Sequence, residues 1–290
     1  MKSLIIGMGI GQLYKKVSEE LNYETYTVDT NKELNPSFTS IDQALANTSD
    51  IDVSVISLPN YLHESTARMI ANHSKIILIE KPGLKTSKDW QKLVSNFPNT
   101  RFMMIKNNQW RDNIAEMKQH YKHCKNVKVV WNNKNRVPKP GTWFTNKDLA
   151  FGGVSRDLLP HLLSLMTVID SSYKNTVWLF RKSWQKWELA DLIDSDYGTV
   201  DPNGTYNVDD KVELEGSLSN KLWTFKTNWR SNSDDDVAIY FDDHRIPLGL
   251  CPEYAYKAMI EEVTKNVNNN QYWLDCLDQD TWIHQQIEKL

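Results

Sequence analysis

Through residues 1–106, short apolar runs alternate with stretches whose apolar positions recur at helical spacing. Leu4-Ile5-Ile6, Thr25-Tyr26-Thr27-Val28, Val53-Ser54-Val55-Ile56, Lys75-Ile76-Ile77-Leu78-Ile79 and Phe102-Met103-Met104-Ile105 are too short for helices. Such runs between turn-forming residues predict buried strands. The periodic segments between them predict helices over residues 12–21 and 63–71, and a short one beginning at Ser40. Ser40-Ile41-Asp42-Gln43 has the S-x-x-Q capping box, in which two side chains satisfy N–H groups at the helix start. Strands separated by single helices predict a doubly wound parallel sheet with right-handed crossovers.

Beyond residue 106 the texture changes. A helix over residues 112–123 leads into aromatic-rich, strand-like runs at 127–131, 176–180, 212–218, 222–229 and 237–241. Only two strong helices interrupt them, near 155–169 and 253–267, and a polar loop at 266–270 precedes a last helix near Gln279. Many strands with few helices predict an α+β domain built on a mostly antiparallel open sheet. The expected division is an α/β domain over residues 1–118 and the α+β domain over 119–290, with the last helix packing back on the first.

Composition narrows the partners. The 290 residues are 40% hydrophobic and 24% charged, which suits two folded domains. The net charge is −3 and no long basic block occurs, so nucleic acid is not the expected partner. No apolar run approaches the roughly 18 residues of a membrane span. The first apolar stretch is broken by glycines and lacks a small-x-small cleavage site, unlike a signal peptide. Three cysteines without a CxxC form neither a disulfide framework nor a zinc ribbon. A soluble cytoplasmic protein is the expectation.

The first candidate site is Gly7-Met8-Gly9-Ile10-Gly11-Gln12, directly after a strand and opening a helix. In that setting small residues let backbone approach a pyrophosphate, and the helix N-terminus supplies N–H groups and positive potential. The full pattern is GxGxxG; here Gln12 holds the last position and Gly11 comes one residue early. The second strand ends at Asp29, followed by Thr30, twenty residues beyond Gly9. A carboxylate there can bond both ribose hydroxyls of NAD and would repel a 2′-phosphate. Lys32 lies close enough in sequence to leave NADP open.

Three further segments carry a resemblance. Ser57-Leu58-Pro59-Asn60-Tyr61-Leu62-His63 follows the third strand, Glu80-Lys81-Pro82 the fourth, and Gly152-Gly153-Val154-Ser155-Arg156-Asp157-Leu158-Leu159-Pro160-His161 stands far downstream. Together with the glycine turn they resemble the Gfo/Idh/MocA family, the glucose-fructose oxidoreductase and inositol dehydrogenase group. The family marks are a GxGxxG turn, a (T/S)PNxxH turn, an EKP tripeptide and a GGGxxxDxxxH helix. This chain departs at Gln12, at Leu58 before Pro59, and at Phe151 in place of the first glycine of the triple; Asn108-Gln109-Trp110 stands where relatives often have N-R-F.

The resemblance implies an NAD(P)-dependent oxidoreductase that moves a hydride between nicotinamide and a carbinol or ketone of a sugar, sugar derivative or nucleotide sugar. Lys81, Asp157 and His161 are then the catalytic group: His161 as acid/base, Lys81 as polarising cation, Asp157 as anchor. Asp157 and His161 are i and i+4, one face of a helix, and histidine titrates near neutral pH. Gly152-Gly153 lets backbone come close to a ligand, and Pro160 should kink the helix. Cofactor contacts are expected from Gly7, Gly9, Ile10, Gly11, Gln12, Asp29, Thr30, Ser57, Leu58, Pro59, Asn60, His63, Glu80 and Lys81. Substrate contacts are expected from Lys81, Gln109, Trp110, Trp143, Asp157 and His161. Trp143 either stacks on a sugar ring or plugs the space between domains.

Two other functions remain open on the residues alone: a glycosidase of the same family type that keeps NAD bound, and a non-catalytic dinucleotide sensor. No metal site is expected. His120-x-x-His123-Cys124 has ligand types but reads as a solvated helix end, and Asp194-Ser195-Asp196-Tyr197-Gly198 lacks the Glu a calcium loop needs twelve positions along. The tryptophans Trp178, Trp184, Trp187, Trp223 and Trp229 predict a sheet face that pairs with another subunit, giving a homodimer or homotetramer, or that packs on its own helices.

Overall fold

The computed structural model describes residues 1–231 and 233–290. The chain divides into two compact units, residues 1–110 with 252–282 and residues 111–251 with 283–290. The first unit begins with β1 (Lys2–Ile6), α1 (Gly11–Glu20), β2 (Glu24–Val28), α2 (Ile41–Asn47) and β3 (Ile51–Ile56). It continues with α3 (His63–Ile70), β4 (Ser74–Ile79), α4 (Ser87–Asn96) and β5 (Arg101–Met104). The five strands form one sheet in the order β2-β1-β3-β4-β5, and every neighbouring pair is parallel. Val53, Val55, Ile56, Ile77, Leu78 and Ile79 have no more than 1% exposure, as strands covered on both faces require. Strand order reverses between β1 and β3, so the turns leaving these strands flank the crevice where such sheets bind ligands. At α2 only half of the capping box forms. Ser40 accepts from Gln43 N at 3.2 Å, while the Gln43 side chain turns to Thr39 N and Oγ1.

The second unit contains α5 (Ile114–His123), β6 (Asn126–Asn132), α6 (Lys147–Ala150), α7 (Val154–Asp157), α8 (Leu159–Ile169), β7 (Val177–Trp184), β8 (Lys211–Leu218), β9 (Lys221–Asn228), β10 (Asp236–Phe241) and β11 (His244–Pro247). Its six strands run β11-β10-β6-β9-β8-β7, antiparallel throughout except for the parallel pair β6–β9. Strand β8 alternates strictly, burying Val212, Leu214, Gly216 and Leu218. Helix α8 is apolar nearly all round, with Leu159, Leu162, Leu163, Leu165 and Met166 buried. The helix expected to be continuous over 155–169 breaks at Leu158, and Pro160 falls in the first turn of α8. A missing N–H is harmless there, because first-turn donors have no intrahelical partner. Strand β11 was not anticipated; four residues with one buried side chain carry too little pattern.

The chain then returns to the first unit through α9 (Glu253–Lys265) and most of α10 (Asn270–Ile287). Tyr256, Met259, Ile260 and Val263 form the buried face of α9, and Tyr256 packs edge-on against Tyr14 of α1 with ring centroids 5.4 Å apart. Arg101 at the start of β5 donates to Val267 O and to the Asn270 side chain. Deeper in, Lys106 and Asp280 form an ion pair with side-chain exposures of 1% and 0%. The second Asp280 oxygen accepts from Met104 N at 2.9 Å, so this carboxylate fixes α10 to the end of β5.

Candidate active site

Three glycines after β1 have distinct tasks. Gly7 sits at φ +91°, and a Cβ there would come within 2.5 Å of the Ser57 carbonyl oxygen. Only glycine fits that turn. A Cβ on Gly11 would lie 2.9 Å from Ser57 Oγ and 3.1 Å from Ile5 Cγ2, so Gly11 allows α1 to seat closely on the sheet. Gly9 is different: nothing lies within 4 Å of its Cβ position, and its bare backbone is open to approach. Gly11 thus performs the helix–strand packing that the fingerprint gives to its last glycine. Gln12 is exposed at that last position and displaces nothing. Beside it the first turn of the ten-residue α1, with exposed Ile10 at its N-cap, presents N–H groups and positive potential.

Asp29 completes this corner. One carboxylate oxygen accepts from Met8 N at 2.7 Å and the other from Asn31 N at 2.8 Å. A carboxylate has about four lone-pair sites, so two stay available for a ribose diol. Asp29 is half-buried and Thr30 exposed, as a binding edge requires. An open backbone at the turn, a helix N-terminus and a carboxylate with spare acceptors together fit an adenosine pyrophosphate at the edge of a Rossmann-type sheet.

The turns after β3 and β4 are tied to each other and to that corner. Ser57 Oγ donates to the carbonyls of Ile6 and Gly7, locking the glycine turn. His63 is fully buried, with its ring nitrogens each 2.8 Å from a carbonyl, Leu58 O on one side and Gly83 O on the other. Burial holds its pKa below the ordinary imidazole value, the charge of Lys81 acts in the same direction, and the two carbonyls oppose. His63 is therefore buried between the two loops, its ring N–H directed at one of their carbonyls, rather than facing solvent. Pro59 and Asn60 form the start of a 3-10 turn, with Asn60 half-buried. Glu80 accepts from Tyr14 Oη at 2.5 Å and from Lys81 N at 3.1 Å, and the Lys81–Pro82 peptide is cis. Lys81 itself is half-buried at the carboxyl end of β4. In the same unit Gln109 and Trp110 lie in a 3-10 turn, and Gln109 Nε2 donates to Gln279 Oε1 at 3.0 Å.

In the second unit the glycine pair serves the protein itself. A Cβ on Gly153 would lie 1.8 Å from Asp209 O, and Val154 N donates to that same oxygen at 2.8 Å. The Asp209 carboxylate accepts from Gly153 N, Ser155 N and Ser155 Oγ at 2.8–3.0 Å, capping α7. The close approach that Gly153 permits is thus to the backbone at Asp209, while a Cβ on Gly152 would meet the Arg156 and Ser155 side chains. Asp157 ends α7 and His161 lies in the first turn of α8, so the break at Leu158 sets the angle between them. Asp157 Oδ2 accepts from Trp229 Nε1 at 2.8 Å. Trp131 lies against His161 with ring centroids 5.6 Å apart and planes tilted 32°. Trp143 stacks on Phe144 at 3.9 Å, with both rings half-buried.

Sequence reasoning passed over the groups that hold Asp157. Trp229 is 1% exposed, and its backbone N donates to Asp210 O at 3.0 Å. The Asp210 side chain, itself fully buried, accepts from Lys186 N, Trp187 N and Tyr206 Oη. Burial pushes the Asp210 pKa up, against the pull of those N–H groups. Trp229 therefore donates at both ends, from its backbone to the Asp210 carbonyl and from its indole to Asp157, and the Asp210 carboxylate is in turn held by backbone donors. No local pattern signals this arrangement, because the partners lie far apart in sequence.

Comparison with known proteins agrees with the first unit. Residues 4–105 match the model of the Gfo/Idh/MocA oxidoreductase family, described as an NAD-binding Rossmann fold. A putative UDP-kanosamine synthase oxidoreductase subunit of Amycolatopsis mediterranei is 24% identical over 124 residues, covering 41% of this chain. The match spans only 35% of that relative's length. Among solved structures, a levoglucosan dehydrogenase in complex with NADH and levoglucosan superposes with a TM-score of 0.75 at 14% identity, covering 100% of this chain and 96% of that one. A Thermus thermophilus dehydrogenase in complex with NAD and UDP-GlcNAcA gives 0.70 at 11% identity, covering 98% and 95%. These likenesses extend the shared fold across the second unit. Among the described residues no helix is long and apolar enough to cross a membrane.

Proposed function

We propose that the protein is an NAD-dependent dehydrogenase acting on a carbinol of a sugar or nucleotide sugar, with NAD preferred over NADP. The observation that carries the cofactor half is the Asp29 carboxylate, fixed beside an open glycine turn with acceptor sites to spare. Gly9 backbone and the α1 N-terminus would hold the pyrophosphate, and Asp29 the adenosine ribose. Bound NAD supplies the hydride-accepting nicotinamide. The chain supplies proton handling: His161 takes the hydroxyl proton, and the Lys81 ammonium stabilises negative charge on the reacting oxygen. Asp157, held by Trp229, orients substrate or histidine. The substrate class is supported by the similar proteins, which include a levoglucosan dehydrogenase, a protein named for UDP-kanosamine and a dehydrogenase in complex with UDP-GlcNAcA.

The test is NADH formation with a panel of monosaccharides, inositols and UDP-sugars. Turnover on at least one member, reduced by about 100-fold or more in His161→Ala, is expected for loss of an acid/base. Sugar release without NADH, or turnover indifferent to His161, contradicts the proposal. We also propose self-association through the six-stranded sheet. Its edge strand β7 exposes Val177 by 62%, Leu179 by 61% and Phe180 by 43%, an apolar row that a second copy would cover.

A further inference from the structure

Outside the proposed catalytic group, the second unit gathers three metal-ligand side chains, two from one helix and the third from a strand far along the chain. Glu116 and His120 are one turn apart on α5 and share a face. His244 opens β11, the edge strand of the sheet, opposite Phe241 of β10. Its imidazole stacks on that of His120, with centroids 3.8 Å apart and planes 17° from parallel. Glu116 Oε1 lies 4.0 Å from His120 Nε2, and one ligand atom from each of the three falls within 4.8 Å of the others. Phe241 backs the His120 ring at 6.0 Å, giving it a fixed wall.

We propose that Glu116, His120 and His244 form a binding site for a divalent transition metal, Zn²⁺ foremost. Two imidazole nitrogens and one carboxylate oxygen are a donor set that Zn²⁺ accepts, with water as fourth ligand. Tetrahedral Zn²⁺ with bonds of about 2.0–2.1 Å needs donors roughly 3.3 Å apart. Glu116 and His244 are exposed and His120 half-buried, so the ion would bind by rotating the two imidazoles out of their stack until both ring planes point at it. One carboxylate also offsets half the charge of the ion. Of the neighbours that the sequence suggested, Cys124 is buried with its thiol on Tyr121 O, and His123 is not among the converging groups. The ion would join the first helix of the unit to a four-residue edge strand that pairs with β10. The site shares no residue with the proposed catalytic group, so it stands or falls independently of the dehydrogenase reading.

The experiment is calorimetric titration of tag-free, chelator-treated protein with Zn²⁺, with Co²⁺ absorption as a second readout of coordination. Variants are His120→Ala, His244→Ala and His123→Ala. The expected result is one Zn²⁺ per chain, a four-coordinate Co²⁺ visible band, and an affinity lower by at least about tenfold in His120→Ala and His244→Ala but unchanged in His123→Ala. No saturable binding, a smaller loss in either of the first two variants, or an equal loss in His123→Ala would overturn the proposal.

Discussion

The buried Lys106–Asp280 pair makes the sharpest stability prediction, because both side chains are almost wholly buried inside the first unit. Lys106→Met keeps most of the side-chain volume and leaves Asp280 with its bond from Met104 N. Stranding one member of a buried pair costs about 3–5 kcal/mol; here the lower figure applies, since the abandoned carboxyl can take up a proton. Asp280→Leu strands the Lys106 ammonium and also orphans the Met104 N–H, which adds about 1–3 kcal/mol. The double variant carries no buried charge and should lose only that last contribution, far less than the sum of the singles. Burial already pushes the Asp280 pKa up, and removing Lys106 pushes it further. A carboxyl whose folded pKa exceeds its unfolded value destabilises fully above the folded pKa and not at all below the unfolded value of about 3.9. The Lys106→Met deficit should therefore be largest at neutral pH and shrink as the pH falls. Urea unfolding followed by circular dichroism at neutral and mildly acid pH measures all of this. A Lys106→Met deficit under about 1 kcal/mol, or a double variant as unstable as the singles combined, would refute the reasoning.

Two more predictions concern the second unit. Trp229→Phe keeps the ring packing but deletes the indole donor to Asp157; a hydrogen bond to a charged group is worth about 1.5–3 kcal/mol, so kcat/KM should fall about 10- to 100-fold. NADH affinity should not change, and steady-state kinetics beside a binding titration separates the two. Asp170 is buried, which alone would raise its pKa, yet bonds from Ser172, Tyr121 and Ser219 outweigh burial and lower it. A depressed folded pKa stabilises above the unfolded value and loses that contribution as the pH falls through the folded one. Asp170→Asn should thus flatten the acid limb of stability below about pH 4, read by thermal melts across pH.

How far the sequence announced the structure depended on how local each signal was. Ile77-Leu78-Ile79 is continuously apolar, and Val53-Ser54-Val55-Ile56 is so but for one buried serine, because both sheet faces are covered; their strands were legible without tertiary information. The glycine turn and Asp29 were legible because a strand, a turn and a helix start determine them within thirty residues. The cost of placing Gln12 in the fingerprint was not legible, since Gly11 performs the packing through contacts with Ile5 and Ser57. His63 marked the right turn, but its burial between two loops required Gly83 O, twenty residues away. Gly152-Gly153 marked the right helix, while Asp209, which fills the space Gly153 leaves, sits beyond the reach of any pattern. The same limit hid Trp229 behind Asp157 and His244 beside His120: both are meetings of strand and helix that only the folded sheet creates.

The proposed chemistry depends on NAD binding at the first unit, and one titration tests that binding most directly. Fluorescence titration with NADH and NADPH should be run on wild type and on Asp29→Asn. The asparagine can still accept from Met8 N, so the turn keeps its support, while the negative charge facing a 2′-phosphate is gone. Wild type should prefer NADH, and Asp29→Asn should lose NADH affinity and bring the two cofactors close to parity. Failure of wild type to bind either nucleotide, or a preference for NADH that Asp29→Asn leaves intact, would contradict the central claim.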